Sequence, residues 1–328
     1  MVAGPDGHLV SGEEQQFTLF WSTPQLKRMT PATLVPSRIG SRVFDWGRRL
    51  SPMWATLVLA GCIMPPRQSW SEAPSSSSAA GKVGGGVTAL CGSGAAHVDG
   101  PYKYENNQWG QKKAKGKFEQ CLLKRSLEGR TEVGWTWNWP GLDPSVFAYP
   151  EIIFGWKPWS GGKPSDSRFP LMVADIQHLA IDYAVETEAS GSYNLAPEIW
   201  LTRSGQWSQD PNPKLITAEI MFWMDYKDTA RPAGSVIDEP TIDGIKYELW
   251  KADNIGDMGD GKGWVLYSFK SPTIQHEGSI SIHTLLSYMI KKQLVRADEY
   301  VASVEFGNEV MGGTGTTWVK RFQVEVRP

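Results

Sequence analysis

The chain has 328 residues, of which 41% are hydrophobic and 21% charged, and its formal net charge is -2 at pH 7. This composition belongs to a globular protein with enough apolar residues for a full-sized core, and it excludes the disordered and fibrous classes. The near-neutral charge, without a stripe of Lys and Arg, also argues against a nucleic-acid partner. Tryptophan is abundant, since 16 Trp outnumber 11 Phe and 10 Tyr.

Residues 1–62 have the features of an export signal. Four arginines precede an apolar run over residues 50–61, and this run is too short to span a bilayer as a stable helix. The run ends in Leu-Ala-Gly-Cys, which resembles the lipobox of bacterial lipoproteins. Cys62 is therefore expected to become the lipidated N-terminus of the mature protein. A buried helix with an incidental cysteine is the alternative.

Residues 63–88 are rich in Ser, Gly and Pro, a composition that is typical of a flexible linker. The remaining residues 89–328 are predicted to form one globular domain. Near its start stand Cys91 and Cys121, an even pair once Cys62 is set aside. In an oxidising compartment we expect these two cysteines to form a disulfide, and two reduced, buried thiols are the alternative.

From about residue 89 onward, short runs of alternating, β-branched and aromatic residues are separated by turn residues, which predicts an all-β domain. One stretch departs from this pattern, because its apolar residues recur at helical spacing and two lysines follow them. The apolar positions are Ile282, Leu285, Leu286, Met289 and Ile290. A single short helix among many strands predicts a large β-sandwich.

Three predicted strands place glutamates on the face opposite the core. In residues 218–223, the two-residue period of a strand puts Glu219, Met221 and Trp223 on one face. The apolar residues between them, Ile220 and Phe222, are predicted to face the core. Glu219 therefore lines the opposite surface.

The other two strands repeat this arrangement. Glu198 and Trp200 share the outward face of one strand, and Glu305 and Glu309 share that of another. Carboxylates beside indoles suit a carbohydrate ligand, because indole stacks on the C–H faces of sugars and glycosidic hydrolysis uses two carboxyl groups. A solvated outward glutamate is the plainer explanation for any single residue, and alternation by itself leaves both explanations open.

Five segments resemble the successive signatures of glycoside hydrolase family 12, in that family's order. They are residues 104–110, 148–155, 193–200, 218–223 and 306–309. The resemblance implies a β-jelly roll sandwich of two curved antiparallel sheets, with one short helix and a concave substrate cleft. It also implies an endo-acting, retaining β-1,4-glucanase that hydrolyses cellulose-type or mixed-linkage β-glucan.

The resemblance assigns roles to individual residues. Glu219 matches the nucleophile and Glu309 the general acid/base, whose carboxyl groups are then expected about 5 to 5.5 Å apart. Glu198 stands where the family has an aspartate that supports the nucleophile. Asn107 and Trp109 match the residues that hold a glucosyl unit on the non-reducing side of the scissile bond.

Further side chains are candidates for contact with the glucan. These additional predicted contacts are Met221, Trp223, Trp137, Trp159 and Pro232. Pro232 lies where the family has a loop that crosses the cleft. Trp135, Trp137 and Trp139 occupy alternate positions, so all three face either the cleft or a neighbouring loop against which they pack.

Other chemistries lack the residues that they need. The five histidines do not have zincin spacing, and the acidic turn over residues 256–261 lacks the closing glutamate of a calcium loop. A hairpin connection is the interpretation of that turn. No metal and no cofactor are therefore predicted.

The predicted partner is a β-glucan polysaccharide, and a monomer is expected. Contact with a membrane is expected only through a lipid on Cys62, so the protein is predicted to be an exported envelope lipoprotein or an extracellular enzyme. Two alternatives stay open at this point. They are a xyloglucan-specific endoglucanase of the same family and a non-catalytic carbohydrate-binding jelly roll.

Overall fold

The structure is a computed structural model of the chain. It describes residues 81–83, 86–127, 129–142, 145–227, 230–258 and 261–327. Cys62 and the whole of the predicted export segment lie outside the described residues, so lipidation and processing stay predictions. None of the helices in the described ranges has the length and apolar character that crossing a membrane requires.

The described residues form twenty β-strands and one α-helix. The first ten strands are β1 (Gly81–Val83), β2 (Val87–Leu90), β3 (Ala96–Asp99), β4 (Tyr102–Glu105), β5 (Glu119–Leu127), β6 (Arg130–Leu142), β7 (Glu151–Gly155), β8 (Leu171–Met172), β9 (His178–Ser190) and β10 (Tyr193–Thr202). The others are β11 (Ile216–Trp223), β12 (Asp225–Lys227), β13 (Ser235–Asp238), β14 (Thr241–Ile242), β15 (Ile245–Lys246), β16 (Glu248–Ile255), β17 (Trp264–Lys270), β18 (Glu277–Ser281), α1 (Ile282–Lys291), β19 (Tyr300–Gly307) and β20 (Gly312–Arg327).

The strands form two large sheets and one small hairpin. The seven-stranded sheet has the order β1-β2-β5-β6-β20-β9-β18. The eleven-stranded sheet has the order β13-β16-β17-β11-β10-β19-β7-β4-β3, with β12 paired to β10 and β8 paired to β19, and β14 pairs only with β15. The predicted β-sandwich is confirmed. Its sheets depart from a purely antiparallel arrangement at one pair, because the hairpin of β16 and β17 places β17 parallel to β11.

The main hydrophobic core lies between the two large sheets. Tyr183 of β9 and Phe306 of β19 come from different sheets, and their ring centroids are 5.4 Å apart. Burial of such rings supplies much of the hydrophobic stabilisation of a sandwich. The sheets are therefore held face to face by aromatic side chains.

The predicted helix is confirmed as α1. The Ser281 hydroxyl caps its N-terminus by accepting the backbone N–H of Thr284 at 3.2 Å. Such a cap satisfies a helix N–H that has no partner within the helix. The buried face consists of Ile282, Leu285, Leu286 and Met289. The helical spacing in the sequence therefore identified the residues that anchor α1 to the core.

The three alternating tryptophans of β6 belong to this core, so the predicted contact of Trp137 with substrate is wrong. Trp135, Trp137 and Trp139 are 0%, 2% and 1% exposed. The ring of Trp137 lies 5.8 Å from that of Tyr193, and it crosses Gly315, where a Cβ would approach the ring to 2.2 Å. Alternation correctly predicted that the three residues share a face. It could not tell that β6 belongs to the seven-stranded sheet, whose inward face is the core.

The ordered sheet begins earlier than the predicted domain boundary at residue 89. The strand β1 pairs with β2, and β2 pairs with β5, so residues 81–83 and 87–88 lie in strands. The Gly-rich composition of this segment concealed two short strands at a sheet edge. The predicted disulfide is confirmed, since Cys91 and Cys121 are bonded across a sequence separation of 30.

Candidate active site

Acidic side chains from neighbouring strands meet on one face of the eleven-stranded sheet. Glu198 of β10 pairs in register with Glu305 of β19, while Trp200 of β10 pairs with Glu219 of β11. Directly opposed and diagonal neighbours on one face of a sheet are within reach of long side chains. The register therefore gathers Glu198, Glu219 and Glu305, and we call the surface around these three residues the acid face.

The alternation predicted for β11 is confirmed. Ile220 and Phe222 lie in the main core, and Glu219, on the opposite face, is 7% exposed. Met221 and Trp223 lie in a separate apolar cluster and are 1% and 2% exposed. These two side chains therefore lie on the same face of β11 as Glu219, packed within that cluster, and present little free surface to a ligand.

Glu219 accepts a hydrogen bond from the indole of Trp264, whose Nε1 lies 2.5 Å from Glu219 Oε2. Burial raises the pKa of Glu219 to about 8, and the Glu309 carboxylate contributes to the increase. The Trp264 N–H and the more distant Lys157 ammonium act in the opposite direction, because each favours the charged carboxylate. Glu219 is thus a buried acid with a dedicated donor.

Glu309 lies beyond the end of β19, which corrects the expectation that it shares a strand face with Glu305. The Asn194 side chain holds it from two sides. Asn194 Nδ2 donates to Glu309 Oε2 at 2.5 Å, and the Glu309 backbone N–H donates to Asn194 Oδ1 at 3.2 Å. Burial raises the pKa of Glu309 to about 7, while the amide of Asn194 opposes the increase.

The carboxyl groups of Glu219 and Glu309 interact electrostatically, since the charge of Glu309 helps to raise the pKa of Glu219. Two interacting carboxyl groups titrate as a pair, and their apparent pKa values belong to the pair. Both pKa values, about 8 for Glu219 and about 7 for Glu309, lie above the ordinary value of a glutamate, so the pair can hold a proton near neutral pH. One protonated and one ionised carboxyl can serve as an acid beside a nucleophile.

Glu198 is also a buried neighbour of Glu219. It is 5% exposed, and burial raises its pKa well above the ordinary value, with further contributions from Glu219 and Glu305. The charges of Glu198 and Glu219 therefore interact, and the predicted role of Glu198 in supporting the nucleophile stays a prediction.

A buried ion cluster borders these acids. Lys157 Nζ lies 2.7 Å from each carboxylate oxygen of Glu151 and 2.7 Å from Glu305 Oε2. Ser303 Oγ donates to the other oxygen of Glu305 at 2.8 Å. Burial raises the pKa of Glu305, but Lys157 and the hydrogen bonds outweigh burial and hold this pKa below its usual value.

Sequence analysis missed the roles of Lys157 and Glu151. Glu151 falls within the second family segment, but no charge was assigned as its partner. Lys157 follows the end of β7, where strand alternation no longer predicts the direction of a side chain. The glutamate on β7 and the lysine shortly after it nevertheless indicate an ion pair, because a buried acid requires a partner.

Asn107 and Trp109 connect to this cluster. Asn107 Nδ2 donates to Glu151 Oε1 at 2.7 Å, and the Trp109 backbone N–H donates to Asn107 Oδ1 at 3.2 Å. The Trp109 side chain is 57% exposed, and the Lys113 ammonium lies 4.7 Å from the centre of its ring. An exposed indole beside an oriented amide can stack on a sugar and bind its hydroxyl groups.

Three tryptophans form a cluster beside Glu219. The ring centroids of Trp159, Trp200 and Trp264 are 5.1 to 5.6 Å apart in edge-to-face pairs. Trp159, a predicted substrate contact, is half-buried in this cluster. Trp264 was not identified from the sequence. The available cue was its alternation with Leu266, which places both on one face of β17.

Pro232 is buried, and the nearby Ala230 packs in the apolar cluster that contains Met221 and Trp223. Gly234 has a φ of +84° and lies against β16, where a Cβ would be 1.8 Å from the carbonyl oxygen of Lys251. This segment is therefore packed closely against the sheet.

Among the described residues, one group of potential metal ligands was found, consisting of Cys91, Glu119 and Cys121. Both cysteines are in the disulfide, so neither offers a thiolate to a metal. Glu219 and Glu305 of the acid face instead have protein donors as partners.

Comparison with known proteins matches the chain to the family model described as Glycosyl hydrolase family 12, over residues 100–327. Endoglucanase S of Pectobacterium parmentieri is 31% identical over 232 residues, which are 69% of this chain and 82% of that protein. A probable xyloglucan-specific endo-beta-1,4-glucanase A of Aspergillus fumigatus is 27% identical over 253 residues, covering 73% of this chain and 92% of that protein.

Solved structures show the same relationship. The native family 12 xyloglucanase from Bacillus licheniformis superposes with a TM-score of 0.65 and 31% identity, covering 73% of this chain and all (100%) of that one. Endoglucanase cel12A from Rhodothermus marinus has a TM-score of 0.60 and 23% identity, covering 73% of this chain and 98% of that one, and it supports the fold alone. The jelly-roll architecture is thereby confirmed.

Proposed function

The chain belongs to glycosyl hydrolase family 12 and is a glycoside hydrolase, and on this premise we propose that it is an endo-acting, retaining β-1,4-glucanase. Glu219 is the nucleophile and Glu309 the general acid/base. The two roles follow the motif resemblance, and the observation that supports them is that each carboxyl group has its own side-chain donor, Trp264 Nε1 for Glu219 and Asn194 Nδ2 for Glu309. A purely carbohydrate-binding module has no need for such a pair.

The reaction proceeds by double displacement. The Glu219 carboxylate attacks the anomeric carbon while Glu309 donates its proton to the departing glycosidic oxygen, which leaves a covalent glycosyl-enzyme. Glu309, now ionised, takes a proton from water, and the resulting hydroxide displaces Glu219 at the same carbon. The configuration is therefore retained, and the two carboxyl groups should lie about 5 to 5.5 Å apart.

The neighbours of the pair support these roles. The Trp264 N–H stabilises the ionised form of Glu219, as a nucleophile requires. Asn194 orients Glu309 through both its amide nitrogen and its amide oxygen.

The glucan is bound through the exposed indole of Trp109 and the amide of Asn107, on the non-reducing side of the cut. Trp159 flanks the nucleophile, while Met221 and Trp223 underlie the bound chain as packing. The concave cleft predicted from the sequence would run across the acid face. We place the enzyme outside the cytoplasm, because the sequence has an export segment and the domain has a disulfide. A monomer is the expected state.

A xyloglucan-specific enzyme is the second candidate, because two of the similar proteins described above are named as xyloglucanases. The competing substrates share a β-1,4-glucan backbone. Enzymes for these substrates differ in the room that the cleft leaves for side branches of the glucan, so the preferred substrate is identified by direct assay.

The test measures reducing sugar released from carboxymethylcellulose, barley β-glucan and tamarind xyloglucan. The wild type should cleave at least one polymer, and Glu219→Gln and Glu309→Gln should each lose roughly 100-fold or more. Glu325→Gln is the matched control, since that side chain is 60% exposed on β20. Wild-type activity in Glu219→Gln would overturn the assignment of the nucleophile.

Stereochemistry tests the mechanism separately. Proton NMR of the first products should show the β-anomer, followed by slow mutarotation. Initial release of the α-anomer would establish inversion and contradict the double displacement.

A further inference from the structure

The first residue of β17, which follows the turn from β16, contacts the proposed nucleophile. Sequence analysis interpreted residues 256–261 as a hairpin connection, and β16 and β17 do form an antiparallel hairpin. Trp264 is the first residue of β17, and its Nε1 lies 2.5 Å from Glu219 Oε2. Because β17 is parallel to β11 and Leu266 is in register with Glu219, Trp264 lies on the same face as the nucleophile.

The turn is shaped to hold the Trp264 ring in this place. Gly256 has a φ of +66°, and a Cβ there would approach Trp264 Cη2 to 1.9 Å. Asn254 also has a positive φ, of 58°, and its Oδ1 accepts the backbone N–H of Gly263 at 2.8 Å. Only a glycine at position 256 leaves space for the Trp264 ring and also adopts this positive φ without strain.

Aromatic packing fixes the other sides of the ring. Trp264 lies 5.1 Å from Trp159 and 5.4 Å from Trp200, in edge-to-face pairs. Trp200 is 5% exposed and is the register partner of Glu219. The indole N–H of Trp264 therefore points at the carboxylate from a ring that has little freedom to turn away.

We propose that Trp264 is a positioning residue for the glycosidase reaction, which holds Oε2 of Glu219 and thereby leaves Oε1 free to attack the anomeric carbon. This inference rests on the proposed function. When Oε1 forms its bond to the sugar, Oε2 becomes the carbonyl oxygen of the ester and can keep the same N–H donor. A donor fixed in advance costs no reorganisation during the reaction.

The test replaces the donor and keeps an aromatic ring, with Trp264→Phe. Loss of one hydrogen bond to a charged group should lower kcat roughly 10- to 100-fold with little change in KM. The acid limb of the pH profile of kcat/KM should move to higher pH, because the Trp264 N–H lowers the pKa of Glu219. The other charged groups facing Glu219 are Glu198, Glu305, Glu309 and Lys157.

Trp200→Phe is the matched control. It leaves a phenyl ring in the cluster against Trp264, and among the described residues the Nε1 of Trp200 that it removes has no hydrogen-bond partner. Its acid limb should therefore stay at the wild-type pH. Gly256→Ala is a second test, since it displaces the Trp264 ring without changing the indole, and it should reproduce the shift of Trp264→Phe.

Three outcomes would overturn the inference. Trp264→Phe with wild-type kcat and acid limb would show that the contact does not matter. Equal losses in Trp264→Phe and Trp200→Phe without a pH shift would show a packing role only. If Trp264→Phe does not fold, the Gly256→Ala variant decides. An acid limb at the wild-type pH in folded Gly256→Ala would then overturn the inference. A wild-type enzyme inactive on every β-glucan would instead contradict the proposed function itself.

Discussion

The ammonium nitrogen of Lys157 lies 2.7 Å from Oε2 of Glu305, and both side chains are buried at the edge of the acid face. The same ammonium group also contacts Glu151 at 2.7 Å. Its charge lowers the pKa of each nearby buried acid. These acids are Glu151, Glu198, Glu219 and Glu305. One cation thus compensates a set of carboxyl groups that the β-sheet register brings together.

Lys157→Met should destabilise the protein strongly. Removing one partner of a buried ion pair leaves an uncompensated charge, which costs about 3 to 5 kcal/mol in the free energy of unfolding. The buried carboxyl groups would then have higher pKa values. At low pH they are protonated and neutral, so their burial without the lysine costs less stability. The loss measured by urea unfolding should therefore be larger at pH 8 than at pH 5.

The double variant Lys157→Met/Glu305→Gln is the control for that measurement. Replacing Glu305 with a neutral amide removes one of the stranded charges, so part of the lost stability should return. A single Lys157→Met variant within about 1 kcal/mol of the wild type would contradict the compensation described above.

The wild type should have a bell-shaped profile of kcat/KM against pH, because the reaction needs one proton on the pair of Glu219 and Glu309. The alkaline limb reports loss of that proton, and the acid limb reports protonation of the nucleophile. The pKa values of about 8 and about 7 place the singly protonated pair near neutral pH. The measurement is kcat/KM for β-glucan across pH 4 to 10.

Glu309→Gln should remove the alkaline limb, because a neutral amide has no proton to lose. An aryl β-cellobioside with a good leaving group suits this assay, since its departure requires no proton. The acid limb, which reports protonation of Glu219, should remain with this substrate, and Glu325→Gln should keep the wild-type profile. A retained alkaline limb in Glu309→Gln would show that Glu309 does not hold the catalytic proton.

Trp109→Ala should weaken glucan binding without affecting stability. The indole is 57% exposed, so its removal leaves no cavity, while the lost stacking should raise KM roughly 3- to 10-fold. Trp207→Ala is the matched control, because that tryptophan is 43% exposed and has no assigned role in binding. Equal KM values for the two variants would remove Trp109 from the binding site.

Loss of the disulfide should lower the free energy of unfolding. Cys91 and Cys121 are 30 residues apart, and on the chain-entropy model closing such a loop contributes roughly 3 to 4 kcal/mol. The double variant Cys91→Ala/Cys121→Ala should show this loss in urea unfolding. Added reductant should destabilise the wild type and leave the double variant unchanged, and equal stabilities without reductant would contradict the prediction.

Local patterns in the sequence determined the class of fold and the direction of side chains within an element. The helical spacing identified the buried face of α1, and alternation placed Glu219 opposite Ile220 and Phe222. Both results follow from the period of a single helix or strand, which needs no knowledge of the partner. The motif resemblance added the identities of the predicted catalytic residues.

The tertiary structure alone decided which distant residues touch and, for a strand such as β6, which face meets the core. Trp137 alternates as regularly as Glu219, yet its strand belongs to the seven-stranded sheet and points it inward. Trp264 reaches Glu219 across 45 positions of sequence because two strands pair in parallel. Strand pairing and sheet stacking are long-range events, so a periodic pattern, which describes only neighbours along the chain, cannot specify them.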